Sequence, residues 1–450
     1  MINNSGEDIQ VSANFNTNYG MTTVTSKYSP LEGNSIKIDG GSGVYENIYT
    51  KRMDSFQLNK KIEFITRLSN EGRINFVNQQ VNGNVLPPVV IISSNRSGFI
   101  KKMLAQFQYW VTYFDNPDSP SQNLLIDPKP FKDNYPGLFY DPLRSGRNLI
   151  IVVSGVEFNK YKNALNDFLI SEGNQANPGR IMLVGWRWKS NINGVGSMAG
   201  FGASRVAAIK FLKASNCPRA WLMDDNVLHI NQFPESLAIV EAQMDDITSA
   251  IGFAGCTSVA PCAPKDIVPG ALGTPYTTGI LQQAVLWNIN YIKDANQNRN
   301  INFNPYFVAS NEDISFGEYL GKKGFAYKIY SNLKVIKLTA LLDPPPVKKN
   351  KPGTSENIDV AELILKIKEI LYAREKNYEI SNSGMSSPKP FPIESIIASQ
   401  PKQFTDNKNT VSCQIIEQIL VAWIKSASGV NKAIDALFAD NYEVGFKQIP

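Results

Sequence analysis

Four short runs in the middle of the chain are apolar without a break: Val89–Ile92, Leu149–Val153, Ile181–Val184 and Ala220–Met223. A helical-period segment follows each of the first three, in FIKKMLAQFQYWVTYF, EFNKYKNALNDFLIS and SRVAAIKFLKAS. A strand that alternates apolar and polar residues has one wet face, whereas an unbroken apolar strand is covered on both. Strands of this kind alternating with helices predict an α/β domain built on a mostly parallel sheet. In such sheets ligands bind beyond the carboxyl ends of the strands, so the residues just after each run are the ones to inspect.

The flanks read differently. Residues 1–85 are rich in Asn, Gly, Ser and Thr, with short alternating runs such as SIKIDG and RINFVNQQV. These predict an N-terminal accessory region that is β-rich or extended, with a helical piece around DSFQLNKKIEFITRLSN. The α/β domain then spans residues 86–342. The proline- and lysine-rich stretch 343–355 reads as a linker. Residues 356–450 are expected to form a helical C-terminal accessory region, on the pattern of IDVAELILKIKEILYAREKN and VSCQIIEQILVAWIKSA.

Composition narrows the chemistry. The 450 residues carry 45 Lys+Arg and 40 Asp+Glu, a net +5 that tolerates an anionic partner without demanding one. Four cysteines without a CxxC pair exclude a disulfide scaffold. With His229 the only histidine, a histidine-rich zinc site is excluded and a Ser/His/Asp triad would have to rest on that residue. No secretory signal opens the chain, and its longest apolar stretches fall well short of the roughly 18 residues of a membrane span. The expected location is cytoplasmic, or a host cytoplasm after injection or release.

Candidate chemistry sits at the strand ends. Asp224, Asp225 and Asn226 follow the fourth apolar run. Adjacent acids beside a core need a positive partner, and Mg²⁺ or Mn²⁺ holding a diphosphate is one such partner. The plainer reading is that they cap a helix or pair with lysines. Glu312 and Asp313 open a later helix, where they either cap its N-terminus or leave a carboxylate to act as a base. Arg205 follows Gly200-Phe201-Gly202, a loop-to-helix pattern suited to phosphate. Asn95 and Arg96 follow the first run, where a base and ribose would meet polar side chains. His229 could approach a metal, although a lone histidine is more often structural. Arg187 is a vaguer phosphate candidate. Gln282 and Gln283 could line a pocket, with Trp287 better placed in the core.

The order of these features resembles the GT-A family of nucleotide-sugar glycosyltransferases over roughly residues 88–340. The stretches SRVAAIKFLKA…WLMDDNV, LQQAVLWNIN and INFNPYFVASNEDISFGEYL also look like the glycosyltransferases associated with TET/JBP dioxygenases. The resemblance implies a GT-A-like (Rossmann-like) sheet and a metal-dependent, inverting transfer from a nucleotide-sugar, with a UDP-sugar expected. The acceptor would be a hydroxyl of a hydroxymethylated DNA base or of a protein side chain. It implies donor contacts from Asn95, Arg96, Arg205 and Asp224, and metal contacts from Asp225, Asn226 and His229. Asp313 would be the base with Glu312 beside it. Asn226 stands where the family's DxD motif has a second Asp, which removes one charge from the metal set. A nucleotidyltransferase of related fold and a non-catalytic nucleotide-sugar-binding module are the rival readings.

Overall fold

The computed structural model describes residues 9–17, 20–28, 61–104 (without 82 and 95), 142–189 (without 156 and 171–179), 201–230, 235–259 (without 254 and 255), 274–277, 281–304, 312–330, 335–338, 435 and 438–450. Near the N-terminus, β1 (Ile9–Thr17) and β2 (Gly20–Tyr28) pair antiparallel as a two-stranded sheet. Next come β3 (Lys61–Thr66), α1 (Asn70–Val77) and the small pair β4 (Gln80–Val81) and β5 (Asn84–Val85).

The four apolar runs are β6 (Val89–Ile92), β7 (Leu149–Ser154), β8 (Ile181–Lys189) and β9 (Arg219–Asp224). They lie in the order β9-β6-β7-β8, and every neighbouring pair is parallel. Successive residues alternate between two cores, which explains why the strands are apolar throughout. Val90, Ile150 and Leu222 face the layer of α4 (Phe201–Ala214), whose Val206, Ile209 and Phe211 are buried; α2 is the short turn Pro142–Ser145. Val89, Ile91, Ile151 and Met223 face the other layer. There they meet the helical stretch 97–104, α3 (Phe158–Leu165) and α5 (Glu235–Glu241). The sheet is thus covered on both sides. At Gly185 on β8 a Cβ would stand 2.6 Å from the Phe158 ring, so the absent side chain lets α3 settle onto the strand.

Five more strands bring the sheet to nine, in the order β14-β11-β13-β9-β6-β7-β8-β3-β16. β11 (Ala250–Phe253) and β14 (Tyr327–Tyr330) are parallel to each other, and β13 (Ala284–Asn288) runs antiparallel between β11 and β9. β10 (Val227–Ile230), β15 (Val335–Leu338) and β12 (Cys256–Val259) form a separate three-stranded sheet that begins directly after Asn226. Helix α6 (Ile289–Lys293) leaves β13, and α7 (Glu312–Lys322) precedes β14.

The far edge of the sheet corrects two of the sequence expectations. Lys61–Thr66, expected within a helical piece, is a strand: it pairs antiparallel with β8 and parallel with β16 (Glu443–Gln448). The long end of β8 offers its backbone to this segment, and that pairing outweighs local preference. Arg73–Val77, expected within the strand-like run RINFVNQQV, belongs instead to helix α1, whose N-terminus is capped by Ser69 Oγ, which accepts from Gly72 N–H at 3.1 Å. Its inward positions are Arg73, Phe76 and Val77, a helical spacing concealed by a buried arginine. β3, from the region 1–85, and β16, from the region 356–450, are both strands of the central sheet. The helices expected at IDVAELILKIKEILYAREKN and VSCQIIEQILVAWIKSA, and the strand at SIKIDG, lie outside the described residues.

The last described segment is held firmly. Lys213 of α4 donates from Nζ to Asp440 Oδ2 at 2.7 Å and to the Ile301 carbonyl at 2.6 Å, with both side chains buried. Phe438 stacks on Tyr319 of α7 at 4.2 Å between centroids, and Phe446 of β16 lies over the Arg73 guanidinium at 3.4 Å. No helix among the described residues is long and apolar enough to cross a membrane.

Candidate functional site

From β6 the chain moves through β7 and β8 on one side, then returns to place β9 on the other side of β6. The strand order reverses at β6, and in open α/β sheets the ligand crevice lies beyond the carboxyl ends of the strands at such a point. Ile92 of β6 stands opposite Asp224 of β9, so the residues that follow each strand, Ser93 and Asp225, become neighbours.

Asp225 is almost completely buried, and both of its carboxylate oxygens are engaged. Ser93 Oγ donates to Oδ2 at 2.6 Å, and the Arg96 guanidinium forms an ion pair with Oδ1. Arg96 N–H donates to the Tyr161 hydroxyl at 2.9 Å, and that hydroxyl lies 2.8 Å from Ser93 Oγ. Because Ser93 spends its only proton on Asp225, Tyr161 must supply the proton between the two hydroxyls. The direction of the chain is therefore fixed: Arg96 N–H to Tyr161, Tyr161 to Ser93, Ser93 to Asp225. Such a run of aligned donors strengthens each member. Burial raises the Asp225 pKa, opposed by Arg96 and Ser93.

Beside this network lies a second one. Arg205, buried on α4, donates from Nε to Glu312 Oε1 at 2.8 Å and from a terminal nitrogen to Asp224 Oδ1 at 2.9 Å. Burial alone would lower the Arg205 pKa, but Glu312, Asp224 and Asp313 together raise it. Asp313, half-buried at the start of α7, accepts from Ile314 N–H at 2.8 Å. Desolvation and then the Glu312 charge push its carboxyl up to about 7, against the pull of Arg205. Beneath α7, Phe316 stacks on Trp287 at 5.1 Å and meets Phe303 at 4.5 Å.

Most of the residues singled out in the sequence meet here. Asp224, Asp225, Arg96, Arg205, Glu312 and Asp313 belong to two adjoining networks. Asn226 is buried in the turn between β9 and β10. His229 lies on β10 in register with Ile336, and Asn95 lies outside the described residues. Gln283 borders the site through its backbone: its carbonyl accepts from Asp224 N–H at 2.9 Å, with Gln283 held at φ 66°. Trp287 belongs to the core at 1% exposure. Arg187 pairs with Glu63 across β8 and β3. Ser93 and Tyr161 went unnoticed in the sequence. Ser93 was open to inspection as the residue after β6, but Tyr161 occupies an ordinary inward position of α3 between Phe158 and Leu165.

Two guanidiniums thus face four carboxylates, which leaves the crevice with surplus negative charge. Asp225 is neutralised by Arg96, and Asp224 is paired with Arg205 through Oδ1 while its side chain stays 20% exposed. Among the described residues, no three His, Cys, Asp or Glu side chains gather into a cage of their own. One paired carboxylate is not a metal site by itself, and a hard cation there would have to take most of its oxygen ligands from a bound phosphate.

Fold and site together define an α/β protein with a cluster of buried ion pairs at the switch point of a mostly parallel sheet. No protein-family model matches the chain, and no curated protein is similar to it.

Proposed function

We propose that the chain is a GT-A-like glycosyltransferase that moves a sugar from a nucleotide-sugar, expected to be a UDP-sugar, to an acceptor hydroxyl of a modified DNA base or a protein side chain. The observation that carries this reading is Arg205 holding Asp224 and Glu312 at once. It joins the acid at the end of β9 to the acids opening α7, beyond the strand ends where nucleotides bind in open α/β sheets. Mn²⁺ or Mg²⁺ held at Asp224 would screen the crevice from the donor's diphosphate and act as a Lewis acid on it.

In this reading Asp313 accepts the proton of the acceptor hydroxyl. The hydroxyl oxygen bonds to the anomeric carbon as the bond to the diphosphate oxygen breaks, and the electron pair leaves with the nucleoside diphosphate. A single displacement of this kind inverts the anomer. A carboxyl with a pKa near 7 is a stronger base than an ordinary aspartate and remains largely ionised just above neutrality. Glu312, tied to Arg205, fixes the start of α7, and the Arg96–Asp225 pair fixes the opposite wall.

The test is nucleotide release from UDP- and GDP-sugars with Mn²⁺, comparing the wild type with Asp224→Asn and Asp313→Asn. Release of a nucleoside diphosphate that both variants lose, and that EDTA stops, is the expected result. Release of pyrophosphate would replace the reading with nucleotidyl transfer. Donor binding without transfer or hydrolysis, across a panel of acceptors, would replace it with a binding module.

A further inference from the structure

At the amino ends of the same strands lies a pocket of about 490 Å³, within the usual size of small-molecule sites. Its lining includes Val85, Pro87, Pro218, Tyr291, the two guanidiniums of Arg219 and Arg299, and one carboxylate, Asp246. Arg219 opens β9 and Asp224 closes it, so the pocket and the crevice are separated by the length of that strand, about 17 Å at roughly 3.3 Å per residue. The register agrees, because Arg219 pairs with Asn288 at the end of β13 that points away from the crevice.

The walls are preformed. Pro87 and Pro218 precede β6 and β9, and the Pro218 carbonyl accepts from Ile289 N–H at 2.9 Å and Asn290 N–H at 3.2 Å. Asn288 donates to the Asp245 and Thr248 carbonyls and caps α6 by accepting from Tyr291 N–H. Arg299 lies over the Tyr291 ring at 3.9 Å, with hydrogen bonds to the Tyr291 carbonyl and to Asp294. These groups are fixed by the protein itself.

Arg219 differs from them. Its charged contact is a 3.6 Å approach to Asp246, whose side chain is fully exposed, while the Arg219 side chain is 35% exposed. An ion pair of that geometry contributes almost nothing. A guanidinium on the wall of a preformed pocket is suited to a bidentate phosphate or carboxylate, with the prolines and Val85 offering apolar surface beside it.

We infer that this pocket is a second ligand site, separate from the crevice, for a small ring-bearing anion. Its phosphate or carboxylate sits on Arg219 and its ring lies against Pro87, Pro218 and Val85. The site does not depend on the transferase reading.

Phenyl phosphate is the probe, with benzyl alcohol as its neutral counterpart, titrated by calorimetry into the wild type, Arg219→Ala and Asp224→Asn. Saturable binding of phenyl phosphate is expected in the wild type and in Asp224→Asn. Arg219→Ala should weaken it at least about tenfold, the scale of one charge-assisted hydrogen bond, and benzyl alcohol should bind correspondingly weakly. Equal binding by Arg219→Ala, or no saturable binding by the wild type, overturns the proposal. A change of binding in Asp224→Asn, above all tighter binding as Arg205 is freed for the anion, would place it in the crevice and overturn the proposal too. Arg219 is partly exposed and makes no buried pair, so its alanine variant should fold.

Discussion

Arg205 and Glu312 stand 107 residues apart and meet through one hydrogen bond of 2.8 Å, each side chain only 5% exposed. A pair so thoroughly desolvated is costly to form and more costly to break, because the remaining charge has no water to turn to. Arg205→Leu should therefore lower stability by about 3–5 kcal/mol, the range for breaking a buried pair. Adding Glu312→Gln to that variant should recover part of the loss. Urea unfolding of the two single variants and the double variant checks the coupling.

Asp313 predicts a pH signature. Its folded pKa of about 7 lies above the roughly 3.9 of an unfolded aspartate, so between those values the folded state holds a proton that the unfolded state has released. Stability from this group is therefore present below about pH 4 and lost as pH rises through about 7. Asp313→Asn should remove that downward slope, leaving a flatter profile of unfolding free energy against pH. If the transferase reading holds, the wild-type rate should rise along an acid limb with an apparent pKa near 7, since the base must be ionised to act.

The chain from Arg96 through Tyr161 and Ser93 to Asp225 predicts a graded series. Asp225→Asn breaks the buried pair with Arg96 and should cost about 3–5 kcal/mol. Tyr161→Phe removes one hydroxyl that both accepts and donates, and should cost about 1–3 kcal/mol as its partners lose their bonds. Denaturant titration that ranked Tyr161→Phe as the more damaging change would contradict the reading that the Arg96–Asp225 pair holds this network together.

Gly185→Ala tests the seat of α3. A methyl group 2.6 Å from the Phe158 ring forces helix or strand to move, which should cost about 1–3 kcal/mol. Phe158→Leu in the same chain should relieve part of the clash, as thermal unfolding of the double variant would report.

The strands of the central sheet were legible for a physical reason. β6, β7 and β9 are buried on both faces, so burial is written into nearly every position of each run. The edge was not legible. EVGFKQ in β16 is largely exposed and gains its strand character from pairing with β3, far away in sequence. The acids Asp224, Asp225, Glu312 and Asp313 were visible as residue types at the ends of elements. That Arg205 would be shared between the first and third of them, and that Arg96 would engage the second, depends on two helices converging over the sheet. Local spacing carries no record of such convergence.

The placement of β16 ties the end of the described chain to its middle. Asp435 meets Tyr319 of α7 and Lys323 just beyond that helix, and β16 completes a sheet whose other strands lie between residues 61 and 330. Cutting the chain at residue 342 would strip the outermost strand from the sheet and unpair Lys213 along with it. A shortened form that keeps the sheet whole has to retain the final strand and Asp440.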